Sequence, residues 1–378
     1  MDRTQSYPPL NRKFSMSKPT VCFLTYDWSW GTKPLQPNGC AWYRCFLPMQ
    51  QLKEKDWEVG MGFPAFSPEH GFGLLIPDKK AIHGWDIVVL KLMMLENLVN
   101  NIPEAQSRGQ KIVIDVDDHH AGLEPTNMAY TSTDPKTNPK NNRDHYFRGM
   151  ELADALITST PFLRDFYKKQ YPDKPIYMVR NSLDFKNFQM RKDTSGNWPT
   201  VGWVGATPWR SGDLETLSPF VGEFIEKNDL RFHHSGHIIN APTVQEQMQI
   251  PAKRFSSEGM KPILTYGEMF RKIDIGLVPL SHVEFNLAKS FIKGLEYSAA
   301  GIPFIAENIE EYKFLYEEYG IGRVANTKDE WLGHLEELKS QKVRNIERQN
   351  NYKLAKEFHS IEARGPEWDK VYREIREL

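Results

Sequence analysis

The chain reads as an α/β protein of two doubly wound domains that face each other across a cleft. Three observations lead there. Short, nearly continuous apolar runs alternate with amphipathic stretches; that alternation stops and restarts near the middle; and 378 residues exceed one ordinary domain, so about two are expected. Apolar runs without polar alternation are what strands buried on both faces of a parallel sheet look like. Strand, helix and strand repeated in this way mark a doubly wound sheet.

In the first half the strand-like runs are VCFLTY (21–26), WEVGMG (57–62), IVVLKL (87–92), KIVIDV (111–116), ALITST (155–160) and IYMVRN (176–181). Helix-like segments lie between them at 40–55, 141–153 and 161–170; in the last, Thr160 is set to cap and Pro161 takes the first helical position. Residues 126–142 are polar and are expected to form a long surface loop. The stretch FKNFQMRKDTSGNWP (185–199) is rich in turn-forming residues and is expected to link a first domain, 1–184, to a second, 200–360. There the pattern restarts, with strands at TVGWVG (200–205), RFHHSG (231–236), DIGLVPL (274–280), PFIAEN (303–308) and GRVAN (322–326). Helices are expected at 213–227, 266–272, 288–300 and 309–319, and a last helix, 361–378, is expected to pack back on the first domain.

Charge narrows the function. Forty-eight Lys and Arg against 49 Asp and Glu leave −1, whereas a chain that holds nucleic acid by neutralising phosphate carries a basic excess. A local groove from Lys136, Lys140, Arg143 and Arg148 stays open. Three cysteines make neither a disulfide framework nor a zinc pattern, so a reducing, cytoplasmic setting is expected. The first residues lack the apolar run of a signal peptide, and the longest apolar stretch, 87–95, is interrupted by Lys91 and too short to span a bilayer. A soluble, intracellular chain is expected.

The strongest chemical signal is FNLAKSFIKGLEYSAAGIPFIAE (285–307). A helix from about Ala288 puts Lys289, Lys293 and Glu296 at i, i+4 and i+7, on one stripe. The free N–H groups and partial positive charge of a helix start suit a phosphate. Ser290 and Lys289 add a hydroxyl and a cation there, and Glu296 is placed to accept from a ribose diol. An amphipathic helix with solvated lysines explains the spacing equally well.

DVDDHH (115–120) ends a strand and aims Asp117, Asp118 and His119 at the carboxyl end of a sheet, where open α/β folds bind ligands. Orienting hydroxyls and capping the next segment are both open for these residues; a divalent cation is a third reading, and no metal is expected. Pro37-Asn38-Gly39 is a turn whose glycine lets backbone approach a ligand. Tyr43 and Arg44, just beyond, line the cleft or serve packing. Gly202 and Gly205 do not complete G-x-G-x-x-G, against a dehydrogenase. His233, His234 and His237 are read as packing rather than a metal site. Trp28 and Trp30 stack on a flat ligand or anchor the core.

K-S-x-x-K-x-L-E-Y-x-A-x-G-I-P (289–303), followed by an apolar strand, resembles the donor-binding helix of retaining glycosyltransferases of the GT-B fold, the group 1 or family 4-like transferases. VRNSLDFKNF (179–188) is similar to the P-N-G-V-D-x-x-x-F segment that leaves the first domain in that family. DALITSTPFLRDF (154–166), TVGWVGATPWRSGDL (200–214) and DIGLVPL (274–280) resemble further family segments, in the same order. The resemblance implies two Rossmann-like domains, a UDP- or GDP-linked sugar held mainly by the second, retention of anomeric configuration, and no metal or cofactor. It implies Arg210, Lys289, Ser290, Lys293 and Glu296 at the donor; Asp117, Asp118, His119 and Arg210 in catalysis; and Gly39, Tyr43 and Arg44 on the acceptor or phosphate side. Charge on the leaving diphosphate would be met by Arg210. One departure stands out: the family commonly carries a second glutamate eight residues before Glu296, where this chain has Ala288, with Glu284 further upstream. Other readings are a nucleotide-sugar epimerase and a non-catalytic carbohydrate- or nucleic-acid-binding protein of the same fold. The acceptor is left open among glycan, protein, lipid and a hydroxylated DNA base.

Overall fold

The structure, a computed structural model, describes residues 18–29, 31–76, 80–92, 94–133, 138, 140–209, 212–237 and 242–378. Two sheets organise it. The first is built from β1 (Thr20–Leu24), β4 (Glu58–Ser67), β5 (Gly71–Leu75), β6 (Ile87–Lys91), β7 (Lys111–Val116), β8 (Ala155–Thr158) and β9 (Ile176–Met178), in the order β5-β4-β1-β6-β7-β8-β9. All neighbours are parallel except β5, which runs antiparallel to β4. A small hairpin, β2 (Trp28–Ser29) with β3 (Gln36–Pro37), follows β1. The second sheet is wholly parallel: β10 (Thr200–Val204), β11 (Arg231–Ser235), β12 (Phe255–Glu258), β13 (Ile275–Val278), β14 (Phe304–Glu307) and β15 (Arg323–Ala325), in the order β12-β11-β10-β13-β14-β15. Buried strands such as β1 and β6 expose nothing on either face, hence their nearly continuous apolar spelling.

In each sheet the chain first builds to one side of its opening strand and then crosses to the other. The reversal falls between β1 and β6 in one and between β10 and β13 in the other. A crevice at the carboxyl ends of the strands is formed by that topology.

Local chemistry explains several boundaries. The Thr160 hydroxyl accepts from the Leu163 N–H at 3.4 Å, with Pro161 opening the helix Pro161–Gln170. The helix Ile292–Ala299 ends in a Schellman turn: Gly301 sits at φ +69°, its N–H bonds Ser298 O, and the Ile302 N–H bonds Tyr297 O.

Other boundaries differ from the sequence reading. The stripe expected from Ala288 is two helices, Glu284–Leu287 and Ile292–Ala299, with Lys289 and Ser290 in the break between them. Three consecutive residues there are taken by the other sheet's lobe: Ala288 O accepts from Thr160, Lys289 bonds Asp118, and Ser290 bonds Asn181. The helix expected at 266–272 is a 3₁₀ stretch, Ile263–Phe270. β5, β12 and the helix Gln341–His359 were not anticipated; the first two are short edge strands containing Gly or Ser rather than apolar runs.

The last helix, Ile361–Arg376, lies against Leu47–Glu54 of the first lobe; Trp57 Nε1 donates to Asp369 at 2.7 Å, and Trp368 is buried beneath the Arg44 guanidinium. The chain therefore passes between the lobes twice, and the two passages are hydrogen-bonded: Leu183 N–H to His359 O, and Ile361 N–H to Leu183 O. Among the described residues no helix is long and apolar enough to cross a membrane.

Candidate active site

On the first-lobe side, charges at the ends of β6 and β7 form a closed network. Arg44 clasps Asp115 with two prongs, Nε to Oδ1 at 3.0 Å and Nη2 to Oδ2 at 2.8 Å, while Nη1 donates to Val179 O and Asn181 Oδ1. Lys91 lies 3.4 Å from Asp115 and bonds Asp117. Burial works to raise the Asp117 carboxyl, but the Lys91 ammonium outweighs it and holds it well below the usual carboxylate range. Burial likewise works against Lys91, and Asp117 and Asp115 outweigh it, so the ammonium is held above its ordinary value. Arg44, expected at the cleft, is instead fully enclosed, because its guanidinium is consumed by Asp115, the Val179 carbonyl and the Asn181 side-chain amide. The lysine that interrupts the apolar run of β6 was the sequence signal for this network.

Beyond Asp117 the strand end turns to the seam between the lobes. Asp118 Oδ1 accepts from Lys289 Nζ at 2.6 Å, and His119 Nε2 lies 3.0 Å from Glu284 Oε1. His119 is fully buried, edge-on to Phe162 and Phe166, and burial keeps its imidazole below its ordinary pKa. Glu284, the upstream glutamate, thus meets the first lobe.

On the second-lobe side Glu296 is 3% exposed and its carboxylate accepts three bonds: Tyr43 Oη to Oε1 at 2.7 Å, Lys293 Nζ to Oε2 at 2.6 Å, and Tyr266 Oη to Oε2 at 3.1 Å. Lys293 also donates to Tyr266 Oη at 2.9 Å. Tyr266 went unseen in the sequence; it stands on the 3₁₀ stretch with no motif to mark it. Asn181 Nδ2 donates to Ser290 Oγ at 2.8 Å. Asp213 takes the Ser281 N–H at 2.9 Å and Asn286 Nδ2 at 2.7 Å, tying the loop after β10 to the loop after β13. Arg210, on that first loop, lies outside the described residues, as do Trp30 and Lys136.

Gly39 begins a continuous helical segment, residues 39–54, that includes a π-helical stretch, Trp42–Phe46; a Cβ on Gly39 would meet nothing within 4 Å. The Asp27 carboxylate accepts from the Ala41 N–H at 2.9 Å, and burial raises its pKa. Trp28 is buried, donating to Thr25 O at 2.9 Å and packed on Phe63. His233 bonds Ser256, His234 stacks on Trp203 and donates to Gly205 O, and His237 is an exposed loop residue. Among the described residues no group of three His, Cys, Asp or Glu is placed to hold a metal ion. Arg148 pairs with Glu151 and Arg143 covers Phe147, while Lys140 is exposed.

The structure thus brings Asp118, His119, Tyr43, Lys289, Ser290, Lys293 and Glu296 to one seam, and takes Arg44 away from it. The i, i+4, i+7 stripe is corrected: Lys293 and Glu296 share a helix, whereas Lys289 reaches the seam from the preceding break.

No protein-family model matches the chain, and no curated protein matches it in sequence. Solved structures do match in shape. A sucrose-phosphate synthase from Thermosynechococcus elongatus is 12% identical, covering 95% of this chain and 99% of that one, with a TM-score of 0.67. A glycosyltransferase from Rickettsia africae is 11% identical over 95% of this chain and 99% of its own, TM-score 0.61. HepE from Anabaena, solved with UDP and glucose, is 10% identical over 94% of this chain and 100% of its own, TM-score 0.59. At such identities the likeness speaks for the fold: the chain is a GT-B protein of two Rossmann-like domains.

Proposed function

We propose that this GT-B chain is a glycosyltransferase, hexosyl- or pentosyl-, that moves a sugar from a UDP- or GDP-linked donor to an acceptor hydroxyl, with retention and without a metal, in the cytoplasm. The observation that carries the reading is the meeting at one seam of a lysine-backed carboxylate, Glu296, and a cation, Lys289, opposite the carboxyl ends of β6 and β7. Both belong to the K-S-x-x-K-x-L-E segment.

In this reading Glu296, its charge met by Lys293 and its plane held by Tyr266, accepts the ribose hydroxyls of the donor. Lys289, Ser290 and the N–H groups leading into Ile292–Ala299 face the diphosphate, joined by the cation that the family resemblance assigns to Arg210. Positive charge there lowers the barrier to departure of the nucleoside diphosphate as negative charge grows on its bridging oxygen. Asp117 stays ionised through Lys91, and Asp117 and Asp118 orient hydroxyls at the strand end. The acceptor, a glycan, a protein or a hydroxylated DNA base, approaches from the first lobe over Gly39 and the Asp117–His119 strand end.

The test is transfer. Purified protein is incubated with a panel of UDP- and GDP-sugars, with and without candidate acceptors, and nucleotide release, epimer and glycosylated product are measured. Transfer that is lost in Glu296→Ala together with nucleotide binding is expected. Wild-type binding and turnover in that variant would overturn the assignment, and an epimer formed without acceptor would replace it with epimerisation.

A further inference from the structure

Three donor-side polar groups of the second lobe that reach the seam each have a partner from the first. Lys289 has the Asp118 carboxylate, Ser290 the Asn181 amide, and Glu296 the Tyr43 hydroxyl. The chemical match is close. A carboxylate oxygen at 2.6 Å from Lys289 Nζ is what a phosphate oxygen would be, and a hydroxyl at 2.7 Å from Glu296 Oε1 is what a ribose hydroxyl would be. Glu296 is 3% exposed and Tyr43 9%, so no pentose reaches that carboxylate while the two are bonded. Lys293 and Tyr266, by contrast, come from the second lobe and engage the other oxygen, Oε2, leaving Oε1 as the position to be exchanged.

We propose that the first lobe supplies a built-in stand-in for the donor, with Tyr43 in the place of the ribose hydroxyl and Asp118 in the place of a phosphate oxygen, so that donor binding exchanges these contacts and requires the lobes to part. The inference rests on the donor-site reading above and adds its regulation: the closed, self-filled site competes with the nucleotide. Apparent affinity is then the intrinsic affinity reduced by the fraction of molecules whose site is open. Removing the stand-in hydroxyl raises that fraction.

The seam is further held by His119 with Glu284, and by Arg180, which bonds Glu311 at 3.0 Å and covers the Phe314 ring. These contacts touch no proposed donor group apart from the loop itself and set how readily the lobes part. Glu284 is more than half exposed, so its substitution leaves no buried charge behind.

The experiment measures dissociation constants of UDP, GDP and ADP by calorimetry for the wild type, Tyr43→Phe, Glu284→Gln and Glu296→Ala. Thermal unfolding checks that each variant is folded. Tyr43→Phe deletes one oxygen and is expected to bind its nucleotide on the order of tenfold more tightly, the effect of losing one bond to a charged acceptor in the competing closed state. Glu284→Gln is expected to tighten binding in the same direction by a smaller factor, and it reads the same equilibrium should Tyr43→Phe not fold. Unchanged or weaker binding in both, with Glu296→Ala weakened, would overturn the stand-in while leaving the donor site in place. Binding seen only after Tyr43→Phe would support it most directly. Failure of every variant to bind any of the three nucleotides would overturn the donor site itself and the stand-in with it.

Discussion

The two charged clusters on either side of the seam contain the same kinds of residue and behave differently. Arg44, Asp115 and Lys91 satisfy one another within the first lobe, beneath the strand ends and out of water, with Asp117 bonded to Lys91 at their half-buried rim. Lys289, Ser290 and Glu296 draw partners from the opposite lobe. A buried charge whose partners belong to its own rigid sheet cannot be offered to a ligand, because withdrawing a partner leaves it desolvated and alone. One whose partner sits on another lobe can exchange that partner without unfolding anything. Cleft chemistry is therefore expected from the second set, with the first acting as its floor.

Substitutions that break this contrast are expected to differ in size and in what they disturb. Arg44→Met strands the buried Asp115 with Lys91 as its only remaining cation among the described residues and should cost about 3–5 kcal/mol of stability, a large share of a typical total. Denaturant unfolding measures it; a loss below about 1 kcal/mol would mean the network is not the floor described here.

Acid acts where the chain passes between the lobes. His359 is buried edge-on to Phe291 and Tyr319, and burial pushes its pKa down to about 3 from 6.5, with Arg364 and Arg180 adding to the depression. The unfolded chain takes up that proton below 6.5 while the native one does not until near 3. The contribution is whole above pH 6.5 and is lost as pH falls toward 3, on the order of 2–3 kcal/mol by pH 4. Unfolding free energies at pH 7 and pH 4 should differ less in His359→Phe than in the wild type; equal differences would refute the assignment.

Glu296→Ala should weaken nucleoside-diphosphate binding by about 10–100-fold, roughly 1.5–3 kcal/mol for bonds to a charged acceptor, as read by calorimetry. Lys289→Ala is expected to weaken the diphosphate by about tenfold without weakening the bare nucleoside, which separates a phosphate contact from a ribose contact. Smallest is Asp118→Asn. That pair is 17% and 27% exposed, and its loss should change stability by less than about 1 kcal/mol. A cost there as large as that of Arg44→Met would erase the distinction between the two clusters.

Much of the architecture was legible from residue order. β1, β6, β7 and β8 are apolar on both faces, so their spelling carries their burial. The helix at Pro161–Gln170 announces itself through Thr160 and Pro161. β5 and β12 escaped because Gly71, Gly73, Ser256 and Ser257 spell nothing strand-like. Within the site, Glu296, Lys293 and Lys289 were visible as a segment, but their geometry was not: the i+4 step from Lys289 dissolves where Thr160, Asp118 and Asn181 pull three successive residues out of the helix. Tyr266 carries no motif, and Tyr43 meets Glu296 across 253 positions.

Residue order alone settled most of the parallel strands, where the pattern restarts and which segment carries a lysine-backed carboxylate, since apolar period and capping are properties of neighbours along the chain. Folding in space settled that Arg44 is floor rather than lining, that Lys289 leaves its helix, and that Tyr43 covers Glu296. The worth of a charge depends on which groups surround it once water has been removed, and those groups are gathered from distant parts of the chain.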